Sequence, residues 1–205
     1  MSRMLRLRPQ ALSSALLFVL LLTGCQKQLP PPSSPPPPPT QAERLQSLKQ
    51  RVAAGRCAQA LPDLNAFVDQ VPDSAEAFLL LGLCNAKQND PERAGTALSR
   101  AASLEPDNPR PLEALGILRY GQKKYPAARD ALTRAAALGS SNAQTYYYLG
   151  NLDMQAGHCP QALDNYRKAM AKDPAYHDAF SEYRAAAAAC AKPGMGGGNR
   201  GSGKP

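Results

Sequence analysis

The 205-residue chain has no tryptophan, only two histidines (His158 and His177), and just 6 % aromatic residues. Each shortage excludes chemistry. Neither histidine falls in a metal-ligand spacing and no Cys-x-x-Cys occurs, so no ordinary zinc site is encoded. No Gly-x-Ser-x-Gly, paired-carboxylate or triad signal emerges. His158 precedes Cys159 directly, but adjacent side chains rarely point at each other, which argues against a nucleophile and its base. No arginine cluster with interleaved aromatics of the kind that stacks bases is present, and the +8 formal charge does not by itself argue for nucleic acid. Three of those charges, Arg3, Arg6 and Arg8, lie in a segment expected to be removed. The expectation is a non-enzyme with no catalytic residue, cofactor, metal, small-molecule substrate or nucleic-acid partner. Gly198 to Lys204 matches the G-x4-G-K spacing of a phosphate loop. It lacks the following Ser or Thr and helix, so residues 192–205 read as a disordered Gly-rich tail. Long apolar runs are missing too. Ala11 to Leu22, broken by Ser13 and Ser14, is too short for a spanning helix, which needs roughly 20 apolar residues.

That short run has another use. Behind three arginines and ahead of Leu22-Thr23-Gly24-Cys25, it reads as an export signal over residues 1–24. The last four residues resemble the lipobox of bacterial lipoproteins. The resemblance implies cleavage before Cys25, diacylglycerol on its sulfur, and a periplasm-facing, lipid-anchored protein. An ordinary signal peptide is the alternative. Each buried methylene contributes ~0.8 kcal/mol, so the two or three chains of a lipoprotein hold firmly where one holds marginally. Gln26, rather than Asp, follows the cysteine, which in enteric-type sorting favours the outer membrane. Residues 25–40 carry eight prolines, in Pro30 to Pro32 and Pro35 to Pro39. Such a run lacks most backbone donors and favours extended polyproline II. It reads as a spacer of roughly 45 Å at ~3.1 Å per residue, the alternative being a docking site for a proline-recognising domain.

The middle repeats itself every 34 residues. Leu81, Leu115 and Leu149 align, as do Gly82, Gly116 and Gly150; Ala94, Ala128 and Ala162; and Ala101, Ala135 and Ala169. Large apolar residues align at Phe78, Leu112 and Tyr146 and at Leu98, Leu132 and Tyr166. Pro106 and Pro174 align, with Ser140 between them. These spacings resemble the tetratricopeptide-repeat (TPR) pattern, although Asn85, Arg119 and Asp153 stand where that family carries a tyrosine. The resemblance implies an all-α, right-handed helix-turn-helix solenoid. Its units are 75–108, 109–142 and 143–176, after a degenerate helical pair at 41–74 in which Ser47 and Leu48 replace Leu-Gly. A capping helix at 177–191 closes it, with Arg184 at the glycine position. Thr40 with Glu43 and Asp73 with Glu76 predict capping boxes. Asn108-Pro109 and Asp90-Pro91 predict a cap followed by a first-turn proline.

Four cysteines besides Cys25 invite disulfides in an exported chain. Three pairings are open, as are four free thiols. In the stacking that the TPR resemblance implies, the start of a second helix lies beside the end of the next first helix. This implies Cys57–Cys84 and Cys159–Cys190. The family's concave groove implies partner-binding positions at Leu83, Arg110, Glu113, Ile117, Tyr120, Gln144, Tyr147, Tyr148, Asn151 and Met154, with Leu79 and Leu80 as groove or core. The set lacks the Lys/Asn arrangement by which chaperone-binding TPRs clamp a terminal carboxylate. A protein partner is the expected ligand. The resemblance to TPR lipoproteins of pilus, secretin or cell-wall assembly implies an envelope scaffold. The alternative is a structural, self-associating envelope component.

Overall fold

A computed structural model describes residues 38–191. The export segment, Cys25, most of the proline run and the Gly-rich tail lie outside the described residues. Nine helices occur among those described, and no strand. They are α1 (Gln41–Ala53), α2 (Cys57–Gln70), α3 (Ala75–Lys87), α4 (Pro91–Leu104), α5 (Pro109–Gly121), α6 (Tyr125–Ala137), α7 (Ala143–Gln155), α8 (Cys159–Lys172) and α9 (His177–Cys190). Each packs on the next, and α1, α3, α5 and α7 also touch in turn, so first helices share one side of the stack. No described helix is long and apolar enough to cross a membrane.

The aligned residues form the joints. A Cβ on Gly82 would lie 2.6 Å from Leu98 Cγ, on Gly116 2.5 Å from Leu132 Cγ, and on Gly150 2.6 Å from Tyr166 Cε1. Ala94, Ala128 and Ala162 on the facing helices are fully buried. Bare backbone thus receives a large side chain from the partner helix in every complete pair. In the first pair a buried leucine, Leu48, holds the glycine position and packs with Ala60 and Leu64 of α2. Ala101 is buried where α4 meets Ala114, Leu115 and Leu118 of α5.

This geometry separates two glycines of α5. Gly116→Ala gains helix propensity of ~1 kcal/mol but forces the fully buried Leu132 to move, an overpacking cost of ~1–3 kcal/mol. Gly121→Ala meets nothing within 4 Å. Urea unfolding is expected to show a loss for the first and a gain of up to ~1 kcal/mol for the second. Equal gains would show that Leu132 yields freely.

Caps set the boundaries. The Thr40–Glu43 box forms, with Thr40 N–H donating to Glu43 Oε2 at 2.7 Å and Glu43 N–H to Thr40 Oγ1 at 3.3 Å. Asp90 and Asn108 cap α4 and α5 ahead of their prolines, accepting from Arg93 N–H and Arg110 N–H. The box expected of Asp73 and Glu76 does not form. Ser74 is the cap, accepting from Ala77 N–H at 3.3 Å, so the helix begins one residue later. Glu76 instead pairs with Lys49 at 3.3 Å and Arg110 at 3.0 Å. Two cations outcompete one backbone amide for its carboxylate.

The turns inside the pairs follow the same period. Gly55, Asn89, Lys123 and Gly157 occur every 34 residues and all have left-handed φ, at 75°, 60°, 60° and 75°. A lysine there carries Cβ strain that glycine avoids.

Candidate functional site

Two adjoining hollows lie along the first-helix side. One, of about 560 Å³, is lined by Leu83, Ile117, Leu118 and Gln144 among others. The other, of about 470 Å³, has Tyr120, Tyr147, Asn151 and Met154 with Tyr166, walled by Glu182, Ala185 and Ala189 of α9. Tyr148 joins Tyr120 to Tyr147, with ring centroids 4.7 and 5.2 Å away. The spacing places these residues on first helices one repeat apart, and α9, as a further first helix, supplies the far wall.

Six of the eight tyrosines form one connected cluster. Tyr125 touches Tyr120 at 5.6 Å between centroids, and Tyr147 reaches Tyr176 at 5.2 Å and Tyr166 at 6.2 Å. Tilted and edge-on rings like these each add ~0.5–1.5 kcal/mol beyond area burial. Tyr166 is fully buried, and its hydroxyl donates to Asn151 Oδ1 at 2.7 Å.

Burial holds these phenols protonated. Desolvation raises Tyr120, where Asn151 partly opposes it, and Tyr148, beside Tyr147. It raises Tyr166 furthest, helped by Glu182, and pushes Tyr176 up to about 12. A folded pKa above the unfolded one contributes stability that is present below pH ~10 and is lost as pH rises through the folded value. Tyrosinate absorbance is therefore expected to develop late for these four, with helical circular dichroism falling between pH ~10 and ~12. One step near pH 10 with the helix intact would show that the rings are freely solvated.

Two expected groove positions, Glu113 and Arg110, behave differently, and Leu79 and Leu80 take the core alternative. Glu113 is not a groove residue. Its carboxylate is buried, accepting from Ser140 Oγ at 2.5 Å and Asn142 Nδ2 at 3.3 Å. Ser140 stands where neighbouring repeats have proline, and its hydroxyl recruits the carboxylate inward. Leu79 and Leu80 are buried core. Arg110 is exposed but pairs with Glu76 one repeat back. Sequence reasoning missed Glu182 and Ala185, which fall 34 residues after Tyr148 and Asn151. The signal was available by extending the repeat into α9.

Both cysteine pairs are disulfides, Cys57–Cys84 with Cα atoms 4.9 Å apart and Cys159–Cys190 at 5.8 Å. The latter leaves no thiol for a His158–Cys159 pair, and it ties α8 to α9, the groove wall. Met154 Sδ lies 4.0 Å from Cys190 Sγ. Where the family carries its tyrosine, Asn85 is buried, Arg119 donates to Gln122 at 2.8 Å, and buried Asp153 accepts from Arg129 at 2.6 Å and Asn165 at 2.8 Å. Among the described residues no group of His, Cys, Asp or Glu could hold a metal ion.

A stack of paired helices with an open aromatic groove defines a protein-interaction solenoid. The chain belongs to the tetratricopeptide repeat family, whose pattern matches residues 49–109 and 113–175. Solved structures share the fold. A crystal structure of MamA is 23 % identical with TM-score 0.61, over 71 % of this chain and 80 % of that one. YrrB, described as a TPR protein with an unusual peptide-binding site, is 16 % identical with TM-score 0.62, over 77 % and 81 %. The first TPR of Spaghetti (RPAP3), bound to the HSP90 peptide SRMEEVD, is 21 % identical with TM-score 0.54, over 58 % and 94 %. No curated protein sequence matches the chain.

Proposed function

We propose that this chain is a lipid-anchored scaffold of the bacterial cell envelope, facing the periplasm from the outer membrane, that binds a protein segment in its tyrosine groove and helps assemble or position an envelope complex. The observation that carries the binding is the ring cluster of Tyr120, Tyr147 and Tyr148, half-buried beside an open hollow. Tyrosines pair contact area with a polar tip and recur as interface anchors. That YrrB has a peptide-binding site and the Spaghetti TPR holds a peptide supports a peptide-like ligand. Two disulfides suit an oxidising compartment, and Leu22-Thr23-Gly24-Cys25 suits lipidation at Cys25. The role is binding rather than catalysis.

The test uses the full chain in its membrane. Tyr147→Ala/Tyr148→Ala is expected to weaken capture of an envelope partner by at least about tenfold with helical circular dichroism kept. Unchanged capture, or loss of the helical signal, would remove the groove assignment. Palmitate labelling that persists in Cys25→Ser would remove the anchor.

A further inference from the structure

We propose that the tyrosine groove takes the proline-rich segment 26–39 of a second copy of this chain, which rests on the protein-binding reading above and names the ligand. The ring spacing is the first argument. Centroids step 5.6, 4.7, 5.2 and 5.2 Å from Tyr125 through Tyr120, Tyr148 and Tyr147 to Tyr176. A polyproline II strand rises ~3.1 Å per residue, so Tyr120 and Tyr147, which line the hollow, and Tyr148 between them stand one to two residues apart along it. The rings are inclined to each other by 51° to 71°, which alternates faces and edges along the path. Aromatic-lined grooves seat proline rings in slots, and a proline-rich strand loses little entropy on docking because the pyrrolidine ring restricts φ beforehand.

Hydrogen-bonding capacity agrees. Eight prolines within 26–39 offer carbonyl oxygens and no N–H. A tyrosine hydroxyl donates to such an oxygen, and the half-buried Tyr120, Tyr147 and Tyr148 place three of them at the groove. Charge agrees as well. Lys27 is the only charged residue of 26–39, and the α9 wall carries exposed Asp178 and Glu182 one turn apart. A second copy is the favoured source because every copy holds both halves of the pair. The segment runs into α1, while the groove is built on α5, α7 and α9, so an exchange between copies needs no span along the stack.

The chain's lack of tryptophan makes the test direct, since intrinsic emission comes from tyrosine and the segment contains none. Sedimentation equilibrium of the full chain in density-matched detergent is expected to show concentration-dependent dimers. They should vanish when Pro35 to Pro39 are all replaced by serine, a change outside the repeats, and in Tyr147→Ala/Tyr148→Ala. Titrating a synthetic 26–39 peptide into the serine variant should change tyrosine emission saturably, with about tenfold weaker binding in the added double alanine background. A monomeric wild-type chain whose emission ignores the peptide would overturn the proposal, as would dimers that survive the serine replacements. Peptide-independent emission in a chain whose groove still retains an envelope partner would overturn self-docking alone and leave the binding function standing.

Discussion

Cys159→Ser/Cys190→Ser is expected to release α9 from the stack. The bond closes 31 residues, and a loop of that size is worth about 3.5 kcal/mol in the chain-entropy model. Helix α9 packs chiefly on α8, with only the small Ala179 and Ala186 buried beside α7 residues, and its outward face is exposed at Phe180. In a solenoid each unit is stabilised by its neighbours, so the loss stays at that end. Amide exchange should accelerate several-hundredfold across α9 while α3 to α6 keep their protection. The tyrosine groove should weaken with it, because Glu182 and Ala185 leave. An unchanged exchange profile would show that packing alone fixes the helix. Cys57→Ser/Cys84→Ser is expected to cost a similar amount at the other end, where the closed loop is 27 residues.

Arg129→Ala is expected to lower stability by ~2–3 kcal/mol, because it leaves the Asp153 carboxylate buried with one fewer partner. The figure sits below that of a fully enclosed pair because the Arg129 side chain is 39 % exposed, against 6 % for Asp153. Adding Asp153→Asn should return at least half of the loss, since the buried charge is then gone. A double-mutant cycle by urea unfolding measures the coupling. A single-variant loss under ~0.5 kcal/mol would mean that water reaches the carboxylate and serves it as well as arginine does.

The repeat was legible because one period governs many residues at once. Gly82, Gly116 and Gly150 stood out because they align at one period, and the structure shows each receiving the large residue 16 positions on. The cysteine pairs followed from the stacking that the TPR resemblance implies, with only Cys57 and Cys159 sharing a column. Other features failed where one residue departs from its column. Glu113 shares a column with Leu79 and Tyr147, so the pattern placed it in the groove. Its partner Ser140 sits in a different column, and a single-column reading cannot see that a hydroxyl there draws the carboxylate inward. Asp73 scored as a cap by composition, but Ser74 serves equally well one residue later, and the demands of Lys49 and Arg110 on Glu76 are tertiary. The left-handed turn at Lys123 was hidden by its side chain, although Gly55 and Gly157 mark its register.

The two disulfides have a bearing on how the molecule is made. Cys57, Cys84, Cys159 and Cys190 pair in order along the chain, each with its immediate successor. A chain delivered N-terminus first to an oxidant would present Cys84 while Cys57 is the only earlier thiol of the four, so that bond can close before Cys159 appears. The later two then have only each other. In such a delivery, arrival order and native connectivity agree, so the native bonds are also the ones between thiols that become available in succession.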